Sequence, residues 1–257
     1  MQKYDLFVPL GCFCLPSHCL RMSNLQLAAY PFDWVGTEDV TKFIKYLDNH
    51  FQGFFQKENL ELVGDVIGNH ISYKDTKNDV LFPHCIDKDL PFDEAYDKAR
   101  ATFDRRIERL YQHINQANKI LFCNACYKTY KQHDLGDLLQ QLRKVFPNKD
   151  VSLMRINLAP DFDKLVEYKK VSPDILVYNM KYDMAKNIYT DRDKEMAQIM
   201  ADFGLNPSKK VWFYKLKECG FAVKRFLVNL LCCLVPVKRI RHKIRKKFNI
   251  STKFFDH

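Results

Sequence analysis

The chain has 257 residues, of which 47% are hydrophobic, and its formal net charge is +10. This length and hydrophobic content predict a globular body with a substantial core, and no apolar run reaches the roughly 18 residues that would span a bilayer. The positive charge belongs entirely to residues 206–257, which hold 14 basic and 2 acidic residues, whereas the rest of the chain has 27 basic and 29 acidic residues. The charge therefore gives no reason to expect a nucleic-acid-binding body.

The cysteines point to a reducing compartment. There are nine of them at irregular spacing, and residues 1–5 lack the basic-then-apolar layout of a secretory signal. We therefore expect free thiols and a cytoplasmic protein.

The first half of the chain begins with an apolar strand at residues 6–10, a turn at Gly11 and a helix at residues 15–22. A second helix is predicted from Thr37, as its cap, to about Phe51, because apolar residues recur at helical spacing. Between residues 54 and 86, short apolar runs separated by glycines predict short strands, which would deliver His84 to a strand end or loop.

The second half alternates between helices and strands. Residues 91–118 give the clearest helix, with a proline at its start, acidic residues in its first turn and a regular apolar stripe. Further strands are predicted at 119–123, 151–158, 165–168 and 175–180, and further helices at 135–145 and 191–203. This order predicts an α/β fold with a parallel or mixed sheet flanked by helices over residues 1–205, followed by a basic amphipathic helical tail at 206–257.

Cys14 is the candidate nucleophile. It stands where the first helix begins, and the unpaired amides and positive end of a helix favour thiolate over thiol. Cysteine catalysis also needs an imidazole and a group that orients it, for which His84 and Asp33 are the candidates. Backbone amides around Phe13 and Cys14 would supply oxyanion donors.

Each of these roles has an alternative. Cys12 competes as the nucleophile, but helical geometry would point it about 200° away from Cys14. His70 is a weaker substitute for His84, and Asp33 could instead cap the helix predicted near Thr37 or hold the turn at Pro31.

The same residues carry a family resemblance. The block from Leu10 to Cys14, with the pattern L-G-x-x-C, is followed by Tyr-Pro-Phe-Asp-Trp at 30–34, Phe-Pro-His at 82–84 and a basic helix leading into a strand at 105–122. Together these segments resemble the putative papain-like cysteine peptidases, a mostly bacterial family often encoded near surface-polysaccharide genes, over about residues 1–160. Cys85 and Asn124 depart from the family pattern, which commonly has an acid and a basic residue at these two places.

The resemblance implies a cysteine hydrolase or acyltransferase that acts on an acyl or amide bond in cell-surface polysaccharide biosynthesis. Its substrate would be a glycan or an acyl carrier, with no cofactor and no metal. A non-catalytic, membrane-docked adaptor of such a system is the alternative from another class. A glycan transferase is a third, although we find no convincing nucleotide-sugar motif.

Other residues are candidates for binding roles. Arg105 and Arg109 share a helical face and, with Trp34, are candidate substrate-binding residues; salt bridging on a solvated face is the alternative for the two arginines. The thiols of Cys12, Cys14, Cys123 and Cys126 could hold a structural zinc, but their spacing is not that of a zinc ribbon.

The tail predicts contact with a membrane surface. An apolar stretch at 221–237 leads into a run of cations at 238–247, an arrangement that suits anionic lipid. We expect a protein peripheral to the inner membrane on its cytoplasmic side. A helix packed back on the domain and nucleic acid are the rival interpretations of this segment, and the oligomeric state is not predicted.

Overall fold

The structure is a computed structural model, and it describes residues 2–127, 131–162, 166–182 and 193–206. These residues belong to one compact unit, Met1–Pro207. The predicted basic tail lies outside the described residues, so its amphipathic helix and the boundary after residue 205 stay predictions. In the described part of the chain, no helix is both long and apolar enough to cross a membrane.

Five helices follow the predicted order. They are α1 (Leu15–Met22), α2 (Thr41–Asp48), α3 (Phe92–Gln116), α4 (Leu135–Val145) and α5 (Asp193–Met200). Local signals fix several of their ends: Pro91 precedes α3, and the Asp134 side chain caps α4 by accepting a hydrogen bond from the Asp137 amide.

Within the described residues, ten strands form three sheets. They are β1 (Gln2–Tyr4), β2 (Leu6–Pro9), β3 (Leu60–Ile67), β4 (His70–Asp75), β5 (Val80–Asp87), β6 (Lys119–Tyr127), β7 (Asp150–Ala159), β8 (Val166–Ser172), β9 (Ile175–Lys181) and β10 (Phe203–Leu205). The smallest sheet pairs β1 with β10 in parallel and so joins the two ends of the described unit.

The main sheet has the strand order β2-β6-β7-β9-β8. Its first four strands are parallel, and β8 adds an antiparallel edge. Strand β6 is buried from Ile120 to Tyr127, as expected for a parallel strand covered on both faces. The α/β fold with a mixed sheet is confirmed.

The second sheet is an antiparallel meander in the order β3-β4-β5. One of its faces packs on a cluster of aromatic rings, in which Phe82 of β5 contacts Phe54, Phe55 and Phe103 at centroid distances of 4.7 to 5.7 Å. Leu81, the neighbour of Phe82, faces the other way and lines a cavity. This alternation gives the sheet one core face and one site face.

Three local predictions were wrong. The second helix begins at Thr41 rather than Thr37, because the Thr37 amide donates to the Cys12 carbonyl and its hydroxyl donates to the Asp79 carbonyl. His84 lies within β5 rather than at a strand end or in a loop, and β3 runs as one strand through Gly64.

Candidate active site

A short turn after β2 positions the candidate nucleophile. Gly11 has φ +34°, and a Cβ there would lie 1.9 Å from a ring carbon of Phe43, so both the backbone and the space require glycine. Cys12 follows with φ +65°. The Asn124 side chain of β6 holds the turn by donating from Nδ2 to the carbonyls of Leu10 and Gly11, at 2.8 and 3.1 Å.

Cys14 is the residue from which α1 starts, as predicted. Its side chain is 8% exposed, and its Sγ lies 3.6 Å from Nε2 of His84, which is 70 residues away in sequence. Among the described residues, no backbone carbonyl accepts from the Phe13 amide in the same turn. The structure thus brings together a thiol at a helix N-terminus and an imidazole.

His84 is held against the nucleophile by its strand and by an aromatic neighbour. The register of β4 and β5 shifts between Ile71 and Tyr73, and His84 lies at this irregularity. The Trp34 ring meets the imidazole edge to face at a centroid distance of 5.6 Å. Burial, together with the nearby charge of His70, lowers the pKa of His84, so the ring is neutral and able to accept a proton near pH 7.

Asp33 does not contact His84. Its carboxylate is buried, and it accepts hydrogen bonds from Ser17, Arg21 and Gln26, including an Arg21 ion pair of 2.7 Å. Asp33 was predicted to orient His84 or, alternatively, to cap a helix near Thr37. The structure shows neither role, because its partners come from α1 and the loop after it.

Asp33 is connected to the site through Arg21 and Trp34. The guanidinium of Arg21, held by Asp33, lies 5.3 Å from the centroid of the Trp34 ring, and that ring packs on His84. Trp34 itself has φ +64°, a conformation that non-glycine residues adopt only when their surroundings enforce it. The Asp33 carboxylate is thus a positioning group for the tryptophan.

A cavity of about 560 Å³ opens at the Cys14–His84 pair. Its walls are mostly apolar and aromatic, and they come from both larger sheets and the loop before α2. Among its lining residues are Phe13, Val35, Ile67, Leu81, Tyr127 and Tyr182. Lys74 and Asp79, an ion pair at 2.6 Å, add a polar margin. The volume and lining are those of a small-molecule or short-segment binding site.

A second thiol pair lies beside the turn. Cys12 also lines the cavity, and its sulfur accepts a hydrogen bond from Asn124 Nδ2 at 3.5 Å, whereas the Cys126 thiol of β6 donates to the Tyr127 carbonyl. The neighbouring Cys126 and burial raise the pKa of Cys12, and the pKa of Cys126 is lowered, chiefly by Cys12 and also by Arg155. Cys12 is therefore the less reactive of the two thiols and, unlike Cys14, has no hydrogen bond to His84.

The four cysteines considered as zinc ligands do not come together. Cys14 meets His84, Cys12 accepts from Asn124, and the thiols of Cys126 and Cys123 donate to the carbonyls of Tyr127 and Leu121. Within the described ranges, no group of three or more histidine, cysteine or acidic side chains is placed to hold a metal ion.

None of the three predicted substrate-binding residues lines the cavity. Trp34 packs on the His84 ring, and Arg105 and Arg109 lie on α3, which packs against the aromatic face of β5. The prediction missed Arg21 and Arg155. A lone arginine in the apolar run 151–159 was the available signal for Arg155, whereas Arg21 gave none because a basic residue in the last turn of a helix is ordinary.

The chain is similar to a family of cysteine peptidases and to a viral protein. A family model described as "Putative papain-like cysteine peptidase (DUF1796)" matches residues 5–159, a range that contains both Cys14 and His84. An uncharacterized protein of Acanthamoeba polyphaga mimivirus is 24% identical over 168 residues, which cover 58% of this chain and 74% of that protein. No solved structure matches the chain.

Proposed function

We propose that the chain, which belongs to the putative papain-like cysteine peptidase family, is a cysteine hydrolase or acyltransferase with Cys14 as its nucleophile and His84 as its general base and acid. The observation that carries the proposal is the 3.6 Å approach of Cys14 Sγ to His84 Nε2 at the mouth of a cavity. Two side chains 70 residues apart meet there from different sheets, in the arrangement that covalent thiol catalysis needs.

The proposed reaction uses both side chains. His84 takes the Cys14 proton, and the sulfur attacks the carbonyl carbon of an ester, thioester or amide. The Phe13 and Cys14 amides are the proposed donors to the oxygen on which charge develops. His84 then returns the proton to the leaving group, which leaves a thioester on Cys14. Water, or a hydroxyl or amine acceptor, resolves this thioester, with His84 removing the acceptor's proton.

The site works as a dyad among the described residues. Besides Cys14, the His84 ring contacts the Trp34 ring, and no described carboxylate bonds its Nδ1. Aromatic packing rather than a hydrogen bond then sets the orientation of the imidazole.

The cavity favours an apolar acyl group. Its aromatic and aliphatic walls would cover a hydrocarbon or aromatic portion next to the scissile bond, since burying apolar surface supplies most of the binding free energy at such sites. The Lys74–Asp79 pair at the margin would face a more polar part of the substrate.

The finer expectations enter as parts of the same proposal. A glycan or acyl carrier as substrate, a place in cell-surface polysaccharide biosynthesis and a peripheral position at the cytoplasmic membrane face rest on the resemblance and on the composition of residues 206–257. A non-catalytic, membrane-docked adaptor is what remains if Cys14 proves unreactive.

Acyl-enzyme formation tests the proposal. We expect p-nitrophenyl butyrate to acylate the full chain at Cys14 and to release p-nitrophenol in a burst, with the label located by peptide mass mapping and removed by hydroxylamine. Cys14→Ser abolishes the burst. Cys85→Ser is the matched control and should keep the burst. Cys85 is next to His84 in sequence, but its thiol bonds the Phe82 carbonyl.

A label distributed equally among several cysteines would contradict the proposal, as would an undiminished burst in folded Cys14→Ser. Circular dichroism of each variant establishes that it is folded.

A further inference from the structure

A second cavity, of about 640 Å³, lies beside α2 and shares no lining residue with the cavity at Cys14. Lys42, Lys45 and Tyr46 of α2 line it together with Asn49, the residue that caps the helix. Positions three, four and seven residues apart fall on one face of a helix, so these four side chains form a single wall. The segment between α2 and β3 and the turn between β4 and β5 supply the other walls.

Lysines give this cavity a positive charge. Lys42, Lys45 and Lys77 line it, and Glu58 is the only acidic residue among the described residues that do so. Lys42 forms an ion pair with Asp79 at 2.7 Å, whereas no described carboxylate pairs with Lys45 or Lys77. Two ammonium groups are therefore available to an anion, and lysine is a common ligand of phosphate.

Side-chain amides supply hydrogen-bond acceptors in the same cavity. Asn49, Gln56 and Asn78 line it, and each donates from its side-chain nitrogen to an oxygen atom of the protein at 2.9 to 3.3 Å. These bonds leave the three side-chain oxygens as acceptors without a described donor. Hydroxyl groups of a ligand are donors that carboxamide oxygens accept.

Two lining residues carry a buried polar atom that has no described hydrogen-bond partner. These atoms are the Tyr46 hydroxyl and Asn49 Oδ1. Tyr46 is 5% exposed, and its ring packs on Phe51 and Phe54 at centroid distances of 6.1 and 5.1 Å. Unpaired buried polar groups are rare in folded proteins because each one costs stability, and they are a reason to look for a polar ligand at this cavity.

We propose that this cavity binds a sugar phosphate. The phosphate of such a ligand carries about two negative charges at neutral pH, which matches the two lysines that have no described carboxylate partner. Its hydroxyl groups donate to the carboxamide oxygens. The volume is that of a small-molecule site. The site is separate from the Cys14–His84 pair and does not depend on the function proposed above.

Isothermal titration calorimetry of the full chain tests the proposal. The probes are glucose 6-phosphate, mannose 6-phosphate and ribose 5-phosphate, with inorganic phosphate and glucose as the two halves of the ligand. We expect at least one sugar phosphate to bind with a stoichiometry of one, about tenfold or more tightly than either half, because the site contacts both the charge and the hydroxyls.

A double variant locates the site. Lys45→Gln with Lys77→Gln removes two exposed ammonium groups that line the cavity, and we expect the sugar phosphate to bind about tenfold or more weakly. Lys98→Gln with Lys144→Gln is the matched control, because these two lysines are also exposed but line neither cavity. It should bind as the unaltered chain does. Circular dichroism checks that both double variants are folded.

Four outcomes would overturn the inference. The first is that no sugar phosphate of the set binds at concentrations up to about 10 mM. The second is that inorganic phosphate binds as tightly as the best sugar phosphate, which would show a simple anion site. The others are undiminished binding in the variant at positions 45 and 77, and an equal loss in the control at positions 98 and 144.

Discussion

The five-stranded sheet and the three-stranded sheet each contribute one reacting side chain to the site, but they hold it in different ways. Cys14 follows β2 in a turn fixed by Asn124 from the neighbouring strand, and the strands beneath it are buried on both faces. His84 belongs to a sheet with a single core face, whose edge strand β3 is exposed from Glu61 to Ile67. The proposed nucleophile thus follows a sheet that is packed on both faces, and the proposed base belongs to a sheet that is packed on one.

This difference separates stability from reactivity. Changes in the turn or the main sheet should act first on the free energy of unfolding, because they disturb a closely packed core. Changes at the site face of the smaller sheet should act first on the reactivity of Cys14, since that face contributes little to the core. Each prediction below tests one side of this contrast.

The largest effect is expected from His84→Ala. Losing a positioned base should slow alkylation of Cys14 by iodoacetamide at neutral pH by roughly 10²-fold or more, while the free energy of unfolding changes by no more than about 1 kcal/mol. In the unaltered protein, reactivity is lost as the pH falls through the pKa of His84, because the protonated ring no longer accepts the thiol proton. Burial and His70 lower that pKa, so the loss should lie below the ordinary histidine range.

His70→Ala is the matched control for this prediction. It removes the neighbouring positive charge, so the pKa of His84 rises and the loss of reactivity moves to higher pH, while the rate at neutral pH stays within a few-fold. A pH profile that moves the other way, or an equal loss of rate in both variants, would contradict the assignment of His84 as the base.

Gly11→Ala is expected to give the next largest effect, now in stability. A methyl group at this position meets the Phe43 ring at 1.9 Å and must adopt φ +34°, which should cost about 3 kcal/mol of unfolding free energy in urea denaturation. Gly64→Ala is the control in the smaller sheet, where φ is +95° but nothing lies within 4 Å. It should cost only about 1 kcal/mol, from backbone strain. Equal losses would show that packing around the nucleophile turn is looser than the structure has it.

Much of the main sheet could be predicted because its signals are local. The apolar stripe and the proline before it place α3 correctly, and α4 matches its predicted bounds of 135 and 145. Cys14 at the start of α1 follows from the strand, glycine and helix pattern in the first 22 residues. In these segments, local propensity and tertiary packing favour the same structure.

The features that were missed depend on distant contacts. The sequence around Thr37 does not predict its hydrogen bonds to Cys12 and Asp79, which make α2 begin at a later residue. The sequence around Asp33 likewise does not predict that its partner is Arg21 rather than a histidine. The hold of Asn124 on the Leu10 and Gly11 carbonyls requires the register of β2 against β6, which connects segments more than a hundred residues apart. Propensity does not specify such a register, so the sequence could suggest the approach of Cys14 to His84 but could not establish it.

The smallest effect is expected from a conservative change on the exposed strand, and it measures the contrast between the sheets directly. Val66 of β3 is 57% exposed, whereas Val151 of β7 is fully buried. Threonine has nearly the shape of valine and suits a strand, so Val66→Thr should change the free energy of unfolding by less than about 0.5 kcal/mol. Val151→Thr buries a hydroxyl in the main sheet and should cost about 1 to 3 kcal/mol. Urea denaturation of the two variants gives this comparison. A loss at Val66 as large as that at Val151 would mean that β3 is covered in solution. The smaller sheet would then no longer be packed on one face alone, and the contrast between the two sheets would fail.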